Sequence, residues 1–528
     1  MGRRSWGGGA LGLAALLACG LSVLPAGASG NGPSIADINA LKIAISETAA
    51  RLDAESRFVG APVSSLVSRA GMSEWAERVH KSVTAPERAL PPPGGLTPPW
   101  TPVTERAARA DRVNFRLALA ILSQTYGAKD DFDVLAAQGG RAPEAVSFRG
   151  GIVTLADIEA EMRALGVLDR PLADGGAIRR PIVLWEDTIL RLGPEDHLAL
   201  SRPDGAFVIS FGQVDAQGST ISVAGGENPH NAEFMPFLTV GGGGALRLAG
   251  VYATGLGFGQ TEKFSGVGVA AHPLMPRVGR TRIEASVFDG VTTVVLAGAF
   301  GAEIVGNRFH DMRRVGLAIG ASPYTEVRGN TFDGVAPTNS IRVFNGSHHA
   351  ALLGNTMIGG DRLGILVERG ADYATVAGNL VSERSGGAIK FDRISCGIAA
   401  HNIVLDSRQK GIQVRASQET LVRDNLIVGN GSAALWVSAQ AEDARSYLVG
   451  NIVQGNRSGL STATGAAILL RNNDFSAQSP RLFEGDIAHL ALPLLGQLHK
   501  PEPVLLAPAG PQVLSEAPVP QCNPGEGF

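Results

Sequence analysis

A group of cationic side chains in the second half of the chain has the types and spacing of an anion-binding surface. If the recurring aliphatic residues of each short strand point inward, alternation turns the residues between them outward. The outward set has two aromatic residues, five cations and two carboxylates: Phe344, Trp436, Arg342, Arg369, Lys390, Arg393, Arg415, Glu368 and Asp392. An excess of three positive charges, in a chain of net charge −3, predicts a strip that attracts a polyanion.

The same residue types suggest proton-transfer chemistry beside a bound carboxylate. A guanidinium can neutralise a carboxylate but is a poor base, whereas a lysine amine can be tuned by burial and neighbouring cations. Lys390, next to the arginines of the strip, is therefore the candidate base, with Arg342 and Arg369 as its catalytic neighbours. Four further candidates lie at turns, where a surface or structural role is the competing interpretation: His348, His349, Tyr324 and Tyr373.

The remaining predicted contacts would bind substrate rather than react with it. Arg393, Arg415 and Asp392 would hold its charged groups. Phe344 and Trp436 could stack on sugar rings, although Trp436 could equally pack under a loop. A calcium site would need clustered carboxylates, and neither these nor a phosphate loop, a zinc pattern or a Ser-His-Asp signature is present. We therefore predict no metal and no cofactor, and the absence of a long basic run argues against nucleic acid as a partner.

A sequence repeat determines how these side chains are positioned. Asparagines, mostly after glycine, recur in steps of 23 to 26 residues at Asn307, Asn330, Asn355, Asn379, Asn402, Asn425 and Asn451. The aliphatic residue opening each intervening strand keeps the same period, at Leu317, Ile341, Ile365, Ile389, Ile412 and Leu435. A unit this short cannot bury its own apolar face, so it must stack on its copies. The pattern predicts an all-β fold, a right-handed parallel β-helix with a ladder of asparagine amides.

The other segments differ in composition and in the spacing of their apolar residues. Gly is 68 of 528 residues and aromatic residues are 5 %, which favours short strands joined by many turns. Apolar spacing predicts helices within 34–90, 105–126 and 154–165, so residues 29–170 form a mostly helical N-terminal region. We place the β-helix at 171–475 and an irregular, Pro-rich C-terminal tail at 476–528.

The N-terminus predicts export. Residues 1–28 have the charged start, apolar stretch and Ala26-Gly27-Ala28 cleavage site of a signal peptide, so the mature chain would begin near Ser29. An alternative interpretation takes Leu16-Leu17-Ala18-Cys19 as a lipoprotein processing site. In an oxidising compartment Cys396 and Cys522 could pair, or could remain two unrelated thiols.

Several motifs give the chain a family resemblance over about residues 145–475. They are Ser147-Phe148-Arg149-Gly150-Gly151 with Thr154-Leu155-Ala156, Leu200-Ser201-Arg202 with Gly205-Ala206-Phe207, Phe234-Met235-Pro236-Phe237-Leu238, the Lys263 segment, Glu368-Arg369 and Phe391-Asp392-Arg393. In these the chain resembles the bacterial periplasmic mannuronan (alginate) C5-epimerases. The resemblance implies a periplasmic β-helix protein that acts on an exported polyuronate, with the export machinery as a further partner.

One departure from the family leaves the function open. The family's catalytic strand carries Asp-Pro-His-Asp, whose His transfers the proton at C5, whereas the matching strand here is Arg342-Val343-Phe344-Asn345. The family's substrate-binding arginine matches Arg369, and its Asp-Arg pair matches Asp392-Arg393. Three hypotheses remain: a C5-epimerase with an altered site, a polysaccharide lyase, and a catalytically silent protein that binds or guides the polymer.

Overall fold

The computed structural model describes residues 32–86, 88, 106–168, 170–496, 498, 502–507, 510–518 and 520–522. The predicted signal peptide, the mature start at Ser29 and the Pro-rich run 91–102 lie outside these residues. Within them the chain winds through about 13 turns of a β-solenoid, with three strand positions that build three sheets. No helix in the described ranges has the length and apolar character needed to cross a membrane.

Sheet 1 carries the predicted strip on its outer face. Its strands pair in parallel from the second to the last, and the first pairs antiparallel with the second. In chain order the strands are Arg109–Asn114, Glu144–Arg149, Ile182–Leu184, Val208–Ser210, Leu238–Gly242, Gly266–Ala271, Thr293–Ala297, Leu317–Gly320, Ile341–Phe344, Ile365–Glu368, Ile389–Asp392, Ile412–Arg415, Ala433–Ser438, Ser458–Ala463 and Arg481–Gly485.

Sheets 2 and 3 complete each coil. Sheet 2 contains Gly151–Val153, Thr188–Leu192, Gln213–Gln217, Ala245–Ala249, Arg282–Glu284, Glu303–Val305, Glu326–Arg328, Ala351–Leu353, Thr375–Ala377, Ile398–Ala400, Thr420–Arg423, Arg445–Val449, Ala467–Arg471, Val504–Ala507 and Gly510–Val513. Sheet 3 contains His197–Ser201, Thr220–Ala224, Tyr252–Thr254, Val287–Asp289, Arg308–His310, Thr331–Asp333, Thr356–Ile358, Leu380–Ser382, Ile403–Leu405, Leu426–Val428 and Ile452–Gln454. The aliphatic side chains facing inward from all three sheets form one continuous core.

The asparagine ladder is present as predicted. Each side-chain amide from Asn307 to Asn451 donates to the side-chain oxygen of the next asparagine at 2.9–3.0 Å, and the ladder ends at Asn473. The same oxygen also accepts the preceding asparagine's backbone N–H, as Asn355 does from Asn330. Gly usually precedes the asparagine because that position needs the left-handed backbone region, as at Gly329 with φ +63°.

The helices cover the outside and one end of the coil. They are α1 Ile35–Ala54, α2 Val63–Arg69, α3 Ser73–Thr84, α4 Arg116–Tyr126, α5 Asp131–Ala136, α6 Leu155–Ala164 and α7 Ala491–Leu495, with 3₁₀ turns at Leu172–Asp174 and Ala488–Leu490. The first three pack on the outer face of sheet 3, and α4 and α5 pack on the early strands of sheet 1. Ile158 and Met162 of α6 enter the continuous core.

Two predicted boundaries differ from the structure. Parallel stacking begins at Glu144–Arg149, well before residue 171, because α6 is inserted in an early coil and gives that segment helical spacing. The expected helix over 105–126 is a strand at Arg109–Asn114 before it becomes α4, because those residues pair with Glu144–Arg149.

The C-terminal segment is also more ordered than the predicted tail. Arg481–Gly485 adds a further parallel strand to sheet 1, and Val504–Ala507 pairs antiparallel with Ala467–Arg471, so the segment covers an exposed strand edge. Cys396 and Cys522, whose pairing the sequence left open, form a disulfide with a Cα–Cα distance of 5.7 Å.

We expect Asn379→Ala to lower the free energy of unfolding by roughly 3–9 kcal/mol. The change leaves the buried amide and N–H of Asn355 without their acceptor and the Leu352 carbonyl without its donor, at roughly 1–3 kcal/mol each. Urea unfolding followed by circular dichroism measures the loss. The control is Asn339→Ala, where a half-buried side chain accepts one long bond from Leu363. Equal losses in the two variants would contradict a stabilising role for the ladder.

Candidate functional site

The predicted strip is assembled on the outer face of sheet 1 by strand register. Arg342 is the direct partner of Leu366, which pairs with Lys390, then Gln413 and then Trp436. Two positions further along these strands, Glu368, Asp392, Arg415 and Ser438 form a second column. Neighbouring members of a column are about 4.8 Å apart in the strand-stacking direction. The register therefore brings residues from five coils onto one surface.

The ends of the strands place two further arginines beside the second column. Arg369 and Arg393 follow directly after Glu368 and Asp392, and both adopt left-handed backbone conformations, with φ of +52° and +58°. Their side chains are the most accessible of the five cations, at 57 % and 51 % exposed. A polyanion approaching sheet 1 would therefore meet these guanidiniums early.

Glu368 organises the first half of the strip. Arg342 donates from Nε and Nη2 to its Oε1 at 2.8 and 2.6 Å, and Arg369 Nε lies 3.8 Å from its Oε2. The Arg342 guanidinium also stacks over the Phe344 ring, 4.5 Å from the ring centroid. The sequence counted Glu368 as an outward anion, but its side chain is only 8 % exposed because the arginines cover it.

Asp392 organises the second half in the same way. Lys390 Nζ lies 2.8 Å from Oδ2, and Arg393 Nε and Arg415 Nη1 lie 3.3 Å from Oδ1. The Asp392 side chain is 6 % exposed. Burial alone would raise the pKa of this carboxyl, but the hydrogen bond from Lys390 and the nearby arginine charges outweigh burial and hold it below its usual value.

Lys390 is paired with a carboxylate and is not surrounded only by cations. From the sequence pattern, arginines are the expected neighbours of Lys390, whereas its nearest charged group in the structure is the carboxylate of Asp392. The candidate base Lys390 is therefore held in an ion pair with Asp392.

Trp436 has a cationic partner, Lys410, that strand alternation did not predict. Lys410 Nζ lies 3.9 Å from the centroid of the indole ring. Burial, and then the charge of Lys390, lower the pKa of Lys410. Lys410 lies in the turn before Ile412–Arg415, outside the alternating strand positions, so strand alternation alone could not identify it.

The turn candidates form a separate stack of rings. His349 lies between Tyr324 and Tyr373, with ring centroids 4.9 and 4.8 Å apart, and His348 packs edge-on against it. Burial, then the nearby His348 and Arg88, lower the pKa of His349, so its imidazole is neutral near pH 7. Both faces of the His349 ring are covered by the tyrosines, so His349 is a packed, half-buried residue and not the plain surface residue that its turn position suggested.

Comparisons with known proteins agree with this architecture. A family model described as a right-handed β-helix region matches residues 325–475. This confirms the predicted fold class, including its handedness.

The chain is also similar to individual proteins, which are more specific matches than the family model. A mannuronan C5-epimerase of Pseudomonas putida is 22 % identical over 275 residues, which are 49 % of this chain and 52 % of that protein. The chain thus aligns with about half the length of that relative. The crystal structure of the periplasmic alginate epimerase AlgG matches with a TM-score of 0.59 and 17 % identity, over 76 % of this chain and 98 % of that one. A mutant of AlgG matches with a TM-score of 0.57. The predicted resemblance to mannuronan C5-epimerases is confirmed.

We expect Asp392→Asn to lower the free energy of unfolding near pH 7 by roughly 1–3 kcal/mol, because one buried acceptor serves three cations. The pKa of Asp392 is lowered in the folded state, so its contribution is present above the unfolded value of about 3.9 and is lost as the pH falls through the folded value. The difference in free energy of unfolding between wild type and Asp392→Asn, measured by urea unfolding, should become smaller below about pH 4.

The control for this prediction is Glu326→Gln. Glu326 pairs with Arg328 at 2.7 Å on the outer face of sheet 2, but its side chain is more accessible, at 25 % exposed. Accessible ion pairs contribute little, about 0–1 kcal/mol. If Asp392→Asn loses no more free energy of unfolding than Glu326→Gln, or if its loss does not change with pH, a stabilising role for the buried Asp392 carboxylate is contradicted.

Proposed function

We propose that this protein binds a polyuronate such as alginate along the strip on sheet 1 and epimerises it at C5. The observation that carries the proposal is the arrangement of five cations around two buried carboxylates, Glu368 and Asp392. The relationship to a mannuronan C5-epimerase supports the choice of polymer and of reaction.

The buried carboxylates favour binding in two ways. They hold the cationic side chains in place before the ligand arrives, which reduces the entropy lost when a carboxylate binds. They also neutralise only two of the five charges, so the strip keeps a positive excess that attracts a polyanion. Arg369, Arg393 and Arg415 are about half exposed and would meet successive carboxylates of the polymer.

Epimerisation removes the proton from C5, beside the uronate carboxylate, and returns a proton to the opposite face of the ring. A cation on the carboxylate stabilises the charge that develops, while a base and an acid carry the protons. In this proposal Arg369 and Arg342 neutralise the carboxylate and Lys390 transfers a proton. Lys390, as the free amine, would take the proton from C5, and a solvent water would return a proton to the opposite face of the ring, after which the ammonium of Lys390 is again paired with Asp392.

A second candidate function is binding of the polymer without chemistry. It is favoured by the strand that matches the family's catalytic motif, where Arg342 is held by Glu368 and Phe344 lies beneath its guanidinium. No imidazole or carboxylate occupies that strand, Ile341–Phe344. Such a protein would shield or guide an anionic polymer during export.

We expect replacement of Lys390 by Ala to separate these functions. Under the epimerase proposal the change abolishes deuterium incorporation at C5 of mannuronan in heavy water, measured by NMR, while much of the binding remains. Arg415→Ala should weaken binding about fivefold to tenfold, or about 1–1.4 kcal/mol, and the loss should shrink as added salt screens the strip.

The matched control is Arg328→Ala. Arg328 and Arg415 have the same side-chain exposure, 46 %, but Arg328 lies on the outer face of sheet 2. Binding of mannuronan with no exchange in wild type would support the second function, and a new absorbance from unsaturated uronate would identify a lyase. Absence of binding at low ionic strength would refute both the epimerase and the binding proposal.

The proposal also includes a periplasmic location, with the export machinery as a partner. The predicted signal peptide supports it, and the structurally similar AlgG is a periplasmic enzyme. We expect the mature protein to begin at or near Ser29 and to fractionate with the periplasm, as N-terminal sequencing would measure. A lipidated N-terminus at Cys19 would instead support the lipoprotein interpretation.

A further inference from the structure

A cleft of about 450 Å³ adjoins the strip at Phe344. Its floor is formed by small residues of sheet 1 and the turns that follow, among them Ala297, Gly298, Gly320 and Ala321. The volume falls within the usual range of pockets for small ligands, about 300–1,000 Å³. The strip itself does not include these residues, since they carry no charge and precede Arg342 in the chain.

The cleft continues the second column of the strip. Ala297 is the register partner of Gly320, and Gly320 is the partner of Phe344, in the same strand position that Glu368 and Asp392 hold on later coils. A Cβ on Gly320 would lie 2.9 Å from the Phe344 ring, so the ring lies across the glycine. Phe344 therefore separates a charged half of the surface from a half with a small, uncharged floor.

The walls of the cleft include the polar side chain of Tyr126 and two oppositely charged side chains, those of Arg277 and Glu262. Tyr126, at the end of α4, donates its hydroxyl toward the carbonyl oxygens of Ala271 and Ala297, at 2.7 and 3.0 Å. Burial, and then the charge of Glu262, raise the pKa of Tyr126, which keeps the hydroxyl protonated. Arg277 donates to the Gly298 carbonyl at 3.1 Å and lies over the Phe300 ring.

We propose that this cleft is an additional subsite, which binds the sugar residues of a polyuronate that extend past Phe344. The inference rests on the proposed function. Because the residues of the floor have small side chains, pyranose rings can approach the backbone of sheet 1. Phe344 provides an aromatic wall. Arg277 supplies donors for one carboxylate or hydroxyl group. Continuity with the strip, through one column of one sheet, identifies the occupant as the same polymer chain.

The cleft and the strip differ in net charge, so their contributions to the binding free energy should respond differently to salt. Among its described lining residues Arg277 and Glu262 cancel, whereas the strip has an excess of three cations. Binding in the cleft should therefore depend on ring contacts and hydrogen bonds, which salt screens less than it screens exposed charges. Added salt should weaken the strip's contribution more strongly than the cleft's.

The test measures affinity for oligomannuronates of increasing length by calorimetry. In wild type, affinity should rise with length until the strip is filled and then rise about tenfold more as the cleft is filled, by about 1.4 kcal/mol. Ala297→Leu fills the floor and should remove this second rise while leaving affinity for short oligomers unchanged. Arg277→Ala should reduce the second rise, and Arg282→Ala, an accessible arginine on sheet 2, should leave it intact.

Binding of short oligomers also reports that each variant is folded. If both Ala297→Leu and Arg277→Ala keep the full second rise while short oligomers bind normally, the cleft is not a subsite and the proposed function stands. If wild type shows no second rise, the subsite is refuted in the same way. If wild type binds no oligomannuronate of any length, the proposed function fails and this inference fails with it.

Discussion

The asparagine ladder is the interaction on which the rest of the structure depends. Each side-chain amide donates to the asparagine of the next coil and to a backbone carbonyl of the preceding coil, as Asn330 does to Asn355 and Ile304. These bonds fix the spacing and the strand register of neighbouring coils. Because unpaired amides inside the core would be costly, a slip of one residue is strongly opposed. Fixed register is what turns a repeated strand position into a column, and both the strip and the cleft are made of such columns.

A second constraint acts on the outer face of sheet 1. Arg369 and Arg393 follow equivalent strand positions on adjacent coils, about 4.8 Å apart in the stacking direction, where their charges repel each other and the parallel sheet does not let the backbones separate. Glu368 and Asp392 offset this repulsion, because each buried carboxylate forms ion pairs with more than one cation. The same pairing engages the amine of Lys390, so a substrate must compete with the carboxylate of Asp392 for it. Order in the strip and reactivity of Lys390 are therefore opposed.

The sequence allowed prediction of those features that depend on periodicity. The 23- to 26-residue step predicted the coil, and alternation predicted which side of Ile389–Asp392 faces outward. Periodicity could not show that Glu368 and Asp392 are covered, because this depends on where long arginine side chains fold back. It also missed Lys410, Tyr126 and Arg277, which reach sheet 1 from turns and from α4. Their positions depend on tertiary packing, and no sequence interval relates them to the strand positions.

The strand that differs from the family's catalytic motif is coupled to its neighbours on both sides. Phe344 fits only because the preceding coil has Gly320, whose missing Cβ leaves room for the ring. Arg342 is matched by Glu368 on the following coil, with which it makes two hydrogen bonds. An aspartate at position 342 would face that carboxylate, so restoring the family's residues on this strand alone would introduce repulsion between like charges. The altered strand is thus part of a surface fitted across three coils, and its chemistry must be understood from that surface as a unit.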